Sequence, residues 1–152
     1  KLASCVIETP EVLESTNFEE EFPEISVVKH KSLRDLKKHL LNNALNPIRD
    51  SHNSLKGQDC ILLFESKIFS GKKMNYEDVL YELTIKDIEE LTPENIVDTA
   101  NKLRYTSILK YKGLEKKNVF LVISNPSELN KYEIFVGVTR AILNLEINIV
   151  YE

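Results

Sequence analysis

Two apolar runs, Cys60-Ile61-Leu62-Leu63-Phe64 and Val119-Phe120-Leu121-Val122-Ile123, constrain the fold of this chain more than any other feature of it. A strand with one face in water alternates apolar and polar side chains, whereas a run without polar positions is a strand covered on both faces. Such strands belong to parallel sheets, and each parallel pair needs a crossover that carries the chain back to where it started. The flanking sequence supplies crossovers. Glu24-Ile25-Ser26-Val27-Val28-Lys29-His30 follows Pro23, is rich in β-branched residues and reads as a strand. Ser32 is a good N-cap for a helix over about 33–45, with Leu33, Leu36, Leu40, Leu41 and Ala44 at helical spacing and Asn46-Pro47 as its stop. Leu103–Ile108 is a further strand candidate, and Asn118 precedes the second run. Asn125-Pro126-Ser127 then opens a helix with Leu129, Tyr132, Phe135 or Val136, and Thr139 along one side, and Leu143–Val150 alternates as a closing strand. The expectation is a three-layer α/β domain around about five mostly parallel strands.

The rest of the chain is less patterned. Residues 1–23 are acidic, punctuated by Thr9-Pro10 and Phe22-Pro23, and read as a lead-in or linker with at most a short helix around Glu11–Glu14, so the domain proper is 24–152. Between the runs, Ser70-Gly71-Lys72-Lys73 reads as a loop and Tyr76–Leu83 as a helix with Val79, Leu80 and Leu83 inward. Thr92-Pro93 starts another helix with Ile96, Val97 and Ala100 on one face. A chain of 152 residues that is 42% hydrophobic can bury one sizeable core. Its net charge of −4 excludes a surface that is basic all over, though not a local basic patch. Its apolar runs are too short to span a bilayer, so a soluble cytoplasmic protein is expected. Cys5 and Cys60 are too few and too far apart for a zinc site and read as reduced structural thiols. His30, His39 and His52 lie on different elements without ligand-spaced companions and read as solvated or capping residues, so no metal site is expected. The chain opens at Lys1 rather than methionine, which predicts a piece of a longer protein.

No Gly-x-x-x-x-Gly-Lys-Ser/Thr phosphate loop is present, nor a Gly-x-Gly-x-x-Gly, and no nucleophile elbow or isolated carboxylate pair stands out. What remains is a pair of stretches, each containing a glycine: Lys112-Gly113-Leu114-Glu115 and Phe135-Val136-Gly137-Val138-Thr139-Arg140-Ala141. Both are expected just past the carboxyl ends of strands, where open α/β sheets place their ligands.

These stretches carry a resemblance. Ser107-Ile108-Leu109-Lys110-Tyr111-Lys112-Gly113-Leu114-Glu115, followed by the Val119–Val122 strand, resembles motif V of superfamily 1 helicases of the UvrD/Rep/PcrA kind, whose pattern is Thr-Ile-His-x-x-Lys-Gly-Leu-Glu. Phe135–Ala141, followed by Leu145-Glu146-Ile147, resembles their motif VI, Tyr-Val-Ala-x-Thr-Arg-Ala. The likeness spans roughly 24–150 and departs from the pattern at Leu109, where relatives carry histidine, and at Lys116-Lys117. It lacks the asparagine-arginine pair of motif IV, and the span from Phe64 to Leu103 is short, so a compact domain is expected.

The resemblance implies a second RecA-like motor domain, related to the P-loop NTPases. In that family ATP and Mg2+ lie between two RecA-like domains, and the second supplies the motif VI arginine. It implies Arg140 as the catalytic residue reaching the γ-phosphate, Gly113 and Glu115 beside it on the nucleotide, and Ser107, Lys110 and Tyr111 on single-stranded DNA. The missing phosphate loop implies a chain that hydrolyses no ATP until joined to its first domain. The alternative from another class is a helicase-like module that binds nucleic acid or protein without catalysis.

Overall fold

Side-chain alternation along the central strands divides the core in two. In β2 (Cys60–Phe64), where every residue is buried, Cys60, Leu62 and Phe64 join one apolar cluster while Ile61 and Leu63 join the other. The structure, a computed structural model, describes residues 22–50, 52, 55–66, 88–97, 100–111 and 113–151. The segments expected at Glu11–Glu14, Ser70–Lys73 and Tyr76–Leu83, together with Cys5 and Lys112, lie outside the described residues.

Around β2 stand β1 (Glu24–His30), β3 (Ile88–Glu90), β4 (Leu103–Ser107), β5 (Lys116–Ser124) and β6 (Ala141–Val150). They form one six-stranded sheet in the order β1-β6-β5-β2-β4-β3, and every pairing is parallel. The sixth strand, β3, falls in a span the sequence left unassigned. It holds a single buried apolar residue, Ile88, and exists through its pairing with β4 and the ion pair of Glu89 with the buried Arg104 (3.3 Å), so three residues of local pattern could not announce it.

Helix α1 (Leu33–Leu40) starts at Ser32, whose hydroxyl accepts the Asp35 N–H at 3.3 Å. Asn46-Pro47 does not end it as expected. The helix widens into a π turn over Leu41–Leu45 and runs on as α2 (Asn46–Arg49). Proline lacks the N–H of a regular turn and crowds the carbonyl four residues back, and a wider turn relieves both problems. Leu36, Leu40, Ala44, Leu45 and Ile48 bury this ribbon against one face of the sheet.

The other face is covered by α3 (Lys131–Val138), shorter and later than the spacing predicts. Asn130 spends its side chain on the Ser127 N–H (2.8 Å) and on Glu65, which holds 127–130 in turns rather than helix. The buried stripe is consequently Ile134, Val136, Gly137 and Val138, while Leu129, expected inward, is 81% exposed and Tyr132 is also exposed. Gly137 sits where an added Cβ would lie 2.7 Å from a Leu121 methyl, so the glycine lets α3 settle onto β5. The helix expected after Pro93 is likewise replaced by turns over 93–97, with Val97 85% exposed. There Asn95 takes the Thr92 N–H (2.8 Å) and donates to the Glu90 carbonyl (2.8 Å), a local alternative to helical bonding.

Candidate functional site

In a parallel sheet, residues just before a strand lie at its amino end, and this fixes where the two glycine-containing stretches go. Lys116 and Ala141 open β5 and β6 and face each other in register, so Glu115 and Arg140, one residue earlier, are neighbours at the amino edge of the sheet. The Lys116 N–H donates to the Arg140 carbonyl at 3.0 Å. This corrects the expectation that both stretches lie past carboxyl ends. Only Ser107–Tyr111 do, because the chain must descend the height of the sheet between β4 and β5.

The Arg140 fork is held by neutral acceptors. Nε donates to the Val136 carbonyl at the end of α3 (3.1 Å), Nη1 to the Leu114 carbonyl (3.3 Å) and Nη2 to Thr139 Oγ1 (2.9 Å). Thr139 is itself fixed by donating to the Val136 carbonyl at 2.9 Å. A guanidinium has five N–H donors, and three are engaged, which leaves two for a ligand. Among the described residues no carboxylate pairs with Arg140. Its charge is favoured by the helix C-terminus it caps but is not neutralised.

The surroundings keep the edge open. Gly113, Leu114 and Glu115 are all exposed. Gly113 takes φ +89° with nothing near a would-be Cβ, so the backbone conformation, not space, calls for glycine. Just beyond Arg140, Ile142 and Leu143 together oppose Lys117 in a β-bulge, and both are exposed. An apolar rim of Leu114, Ile142 and Leu143 therefore borders the arginine.

The residues expected on a nucleic-acid rim separate. Lys110 is exposed on the 3-10 turn Leu109–Tyr111 past the carboxyl end of β4. Ser107 is buried and its hydroxyl accepts the Lys110 N–H at 3.3 Å, and Tyr111 is only 2% exposed within the α3-side core. Neither side chain reaches solvent, so an exposed rim of Ser107, Lys110 and Tyr111 reduces to Lys110. The Tyr111 hydroxyl donates to the Glu115 carbonyl at 3.3 Å. Burial pushes it up to about 12, the positive Arg140 pulling it back and Glu115 adding to the rise. Cys60, buried as expected, is also pushed up to about 12 by burial.

Two polar clusters escaped sequence reasoning. At the carboxyl ends of β2 and β5, the fully buried Glu65 accepts from Asn130 Nδ2 (2.6 Å) and Ser124 Oγ (2.9 Å), and beside it Glu133 accepts both the Ser66 N–H and its hydroxyl (2.6 Å each). Under α1, His30 Nε2 lies 2.8 Å from Asn148 Oδ1, His39 Nε2 lies 2.8 Å from Glu146 Oε1, and Asn148 Nδ2 donates to Glu146 Oε1 at 3.1 Å. The two imidazoles are thus core and bridging residues, not solvated ones. The available signal was the alternation Asn144, Glu146, Asn148 on β6, three polar residues on the face that α1 covers. Among the described residues no group of three His, Cys, Asp or Glu is placed to hold a metal, and no helix is long and apolar enough to cross a membrane.

No protein-family model matches this sequence. No curated protein matches it at a significant level either. Solved structures do: the chain is similar to the C-terminal domain of a possible DNA helicase from Lactobacillus plantarum WCFS1, with a TM-score of 0.54 at 17% identity, over 93% of this chain and 81% of that one. At this identity the likeness is one of fold. The chain has a RecA-like α/β fold, with six parallel strands where about five mostly parallel ones were expected.

Proposed function

We propose that this chain is the second motor domain of an ATP-dependent DNA helicase or translocase of the UvrD/Rep/PcrA kind, working in the cytoplasm. It supplies Arg140 to an ATP site whose phosphate loop and Mg2+ ligands belong to a first RecA-like domain. The observation that carries this reading is the Arg140 fork, oriented by the Val136, Leu114 and Thr139 acceptors yet left without a carboxylate, at an open edge rimmed by Leu114, Ile142 and Leu143. A cation that served only stability would be expected to sit with an anion. One held rigid and unneutralised suits the spread negative charge of phosphoryl transfer, where a guanidinium contributes roughly 10³–10⁵ in rate. The apolar rim suits the docking of another protein surface. Glu115, exposed beside it, is available to the nucleotide, and Gly113 supplies the turn that brings it there.

The chain itself fits only part of a triphosphate. It offers the Arg140 guanidinium, no phosphate loop in its sequence and no cation-holding cluster among the described residues, so cradle and metal have to come from the other domain. Single-stranded DNA would meet Lys110 at the carboxyl edge of β4, and the segment from Ser107 to Lys116 links that edge to the nucleotide edge.

The test is Arg140→Ala in the full-length protein, with nucleotide affinity and DNA-stimulated turnover measured side by side. Affinity should change little and turnover should fall by about 10³ or more. Unchanged turnover would reject the arginine-finger role and move the chain to the non-catalytic binding module.

A further inference from the structure

The turn that carries Glu115 is fastened at both ends by one residue. The Tyr111 carbonyl accepts the Leu114 N–H at 3.2 Å, and the Tyr111 hydroxyl donates to the Glu115 carbonyl at 3.3 Å. Between them lies Gly113 at φ +89°, a position with no packing of its own. Leu114, pinned in this way, offers its carbonyl to Arg140 Nη1. Tyr111 is buried in the same apolar cluster as Ile134, Val136 and Val138 of α3, so the staple is tied to the core that also carries α3. Solvent-exposed turns with a glycine at positive φ sample many conformations unless side chains fix them, and the described side chain that bonds across this one is Tyr111. The helicase motif resembled here leaves this position unspecified.

We propose that Tyr111 is a positioning residue for the nucleotide edge: through the Leu114–Glu115 backbone it sets the Arg140 guanidinium and the Glu115 carboxylate, without touching substrate itself. The inference rests on the reading of Arg140 given above. It replaces an expected contact with DNA by a buried structural bond whose effect is felt at the opposite edge of the sheet.

Tyr111→Phe keeps the ring and removes the hydroxyl bond. In the 152-residue chain, whose arginines are Arg34, Arg49, Arg104 and Arg140, the Nε–H signals of all four can be followed by NMR. The Arg140 signal should move in Tyr111→Phe while that of Arg104 stays. An unmoved Arg140 signal overturns the proposal. In the full-length protein, Tyr111→Phe should lower kcat by about tenfold, the size of one hydrogen bond, with KM for ATP nearly unchanged. Combined with Arg140→Ala it should cause a further loss well short of tenfold, because only Glu115 is then left to position. A further tenfold loss in the double variant overturns the proposal and assigns Tyr111 a general structural role. Turnover that falls in Arg140→Ala but not in Tyr111→Phe overturns the proposal and leaves the nucleotide reading standing. Turnover unchanged in both rejects the nucleotide reading, and the NMR signal alone then decides whether Tyr111 holds Arg140.

Discussion

At the carboxyl edge of the sheet a buried carboxylate is closed in by its neighbours, while at the amino edge a guanidinium is held in place with its charge left open. Glu65 is enclosed by Asn130 and Ser124, and Glu133 by Ser66, so these polar groups knot the ends of β2 and β5 to the start of α3. Among the described residues, the Arg140 guanidinium donates to main-chain carbonyls and its neighbour's hydroxyl. The difference separates groups that fold needs from groups that fold merely carries. Open α/β sheets usually bind ligands at their carboxyl ends. Here that edge, between β2 and β5, is occupied by its own hydrogen bonds, and the residues proposed for the nucleotide lie opposite.

The largest effect on stability should come from the closed edge. Asn130→Leu removes the 2.6 Å donor from fully buried Glu65 and leaves its carboxyl group short of a partner, which should cost about 3 kcal/mol in urea denaturation. Arg140→Ala should stay within about 0.5 kcal/mol in the same assay, as partly exposed residues usually do. Equal losses in the two variants would erase the contrast between the edges.

The glycines of the two stretches sharpen it. Gly137→Val forces a side chain into a site where a Cβ alone would meet Leu121 at 2.7 Å, and this overpacking should destabilise by about 2 kcal/mol, outweighing any gain in helix propensity. Gly113→Ala meets open space, so only the φ of +89° resists it, and about 1 kcal/mol is expected. Thermal melts of both variants test the order. A Gly113 variant that loses more than the Gly137 variant would mean that the amino-edge turn is packed rather than merely bent.

Much of the sheet was legible because a run without polar residues has few places to go: β1, β2, β4, β5 and β6 stand where apolar pattern put them, with ends shifted by up to two residues. The edge strand β3 was not, since Ile88–Glu90 becomes a strand only by pairing with β4. Gly113, Glu115 and Arg140 share an edge because they precede two strands, and it is the amino edge rather than the expected carboxyl edge because a parallel crossover returns the chain to the start of the next strand. Tyr111 showed the limit of local reading. A tyrosine in a lysine-rich turn looks exposed, and it is the packing of the core on the α3 side of the sheet that buries it. The Glu65 and histidine clusters join residues far apart in sequence, such as Glu65 with Asn130 and His39 with Glu146, and no spacing rule reaches across that distance.

The smallest effect is absent at neutral pH. Tyr111 and Cys60 are both pushed up to about 12 in the folded protein, from ordinary values of 10.0 and 9.0. In each case the neutral form is the one the fold accommodates. As pH rises past about 9 and then 10, the unfolded chain gives up these protons first, so it binds fewer protons than the native state and stability falls with pH. Their contribution is therefore fully present below pH 9 and is lost progressively towards pH 12. Melting temperatures taken from pH 8 to 11.5 should decline in the parent protein and decline less steeply in Tyr111→Phe, which lacks the raised hydroxyl. In an absorbance titration carried past pH 12, the tyrosinate signal of the parent should show a late component near pH 12 that Tyr111→Phe lacks. Parallel melting curves with an identical tyrosinate titration would show that the Tyr111 hydroxyl is solvated, which would remove its bond to Glu115 and with it the staple that holds the amino edge.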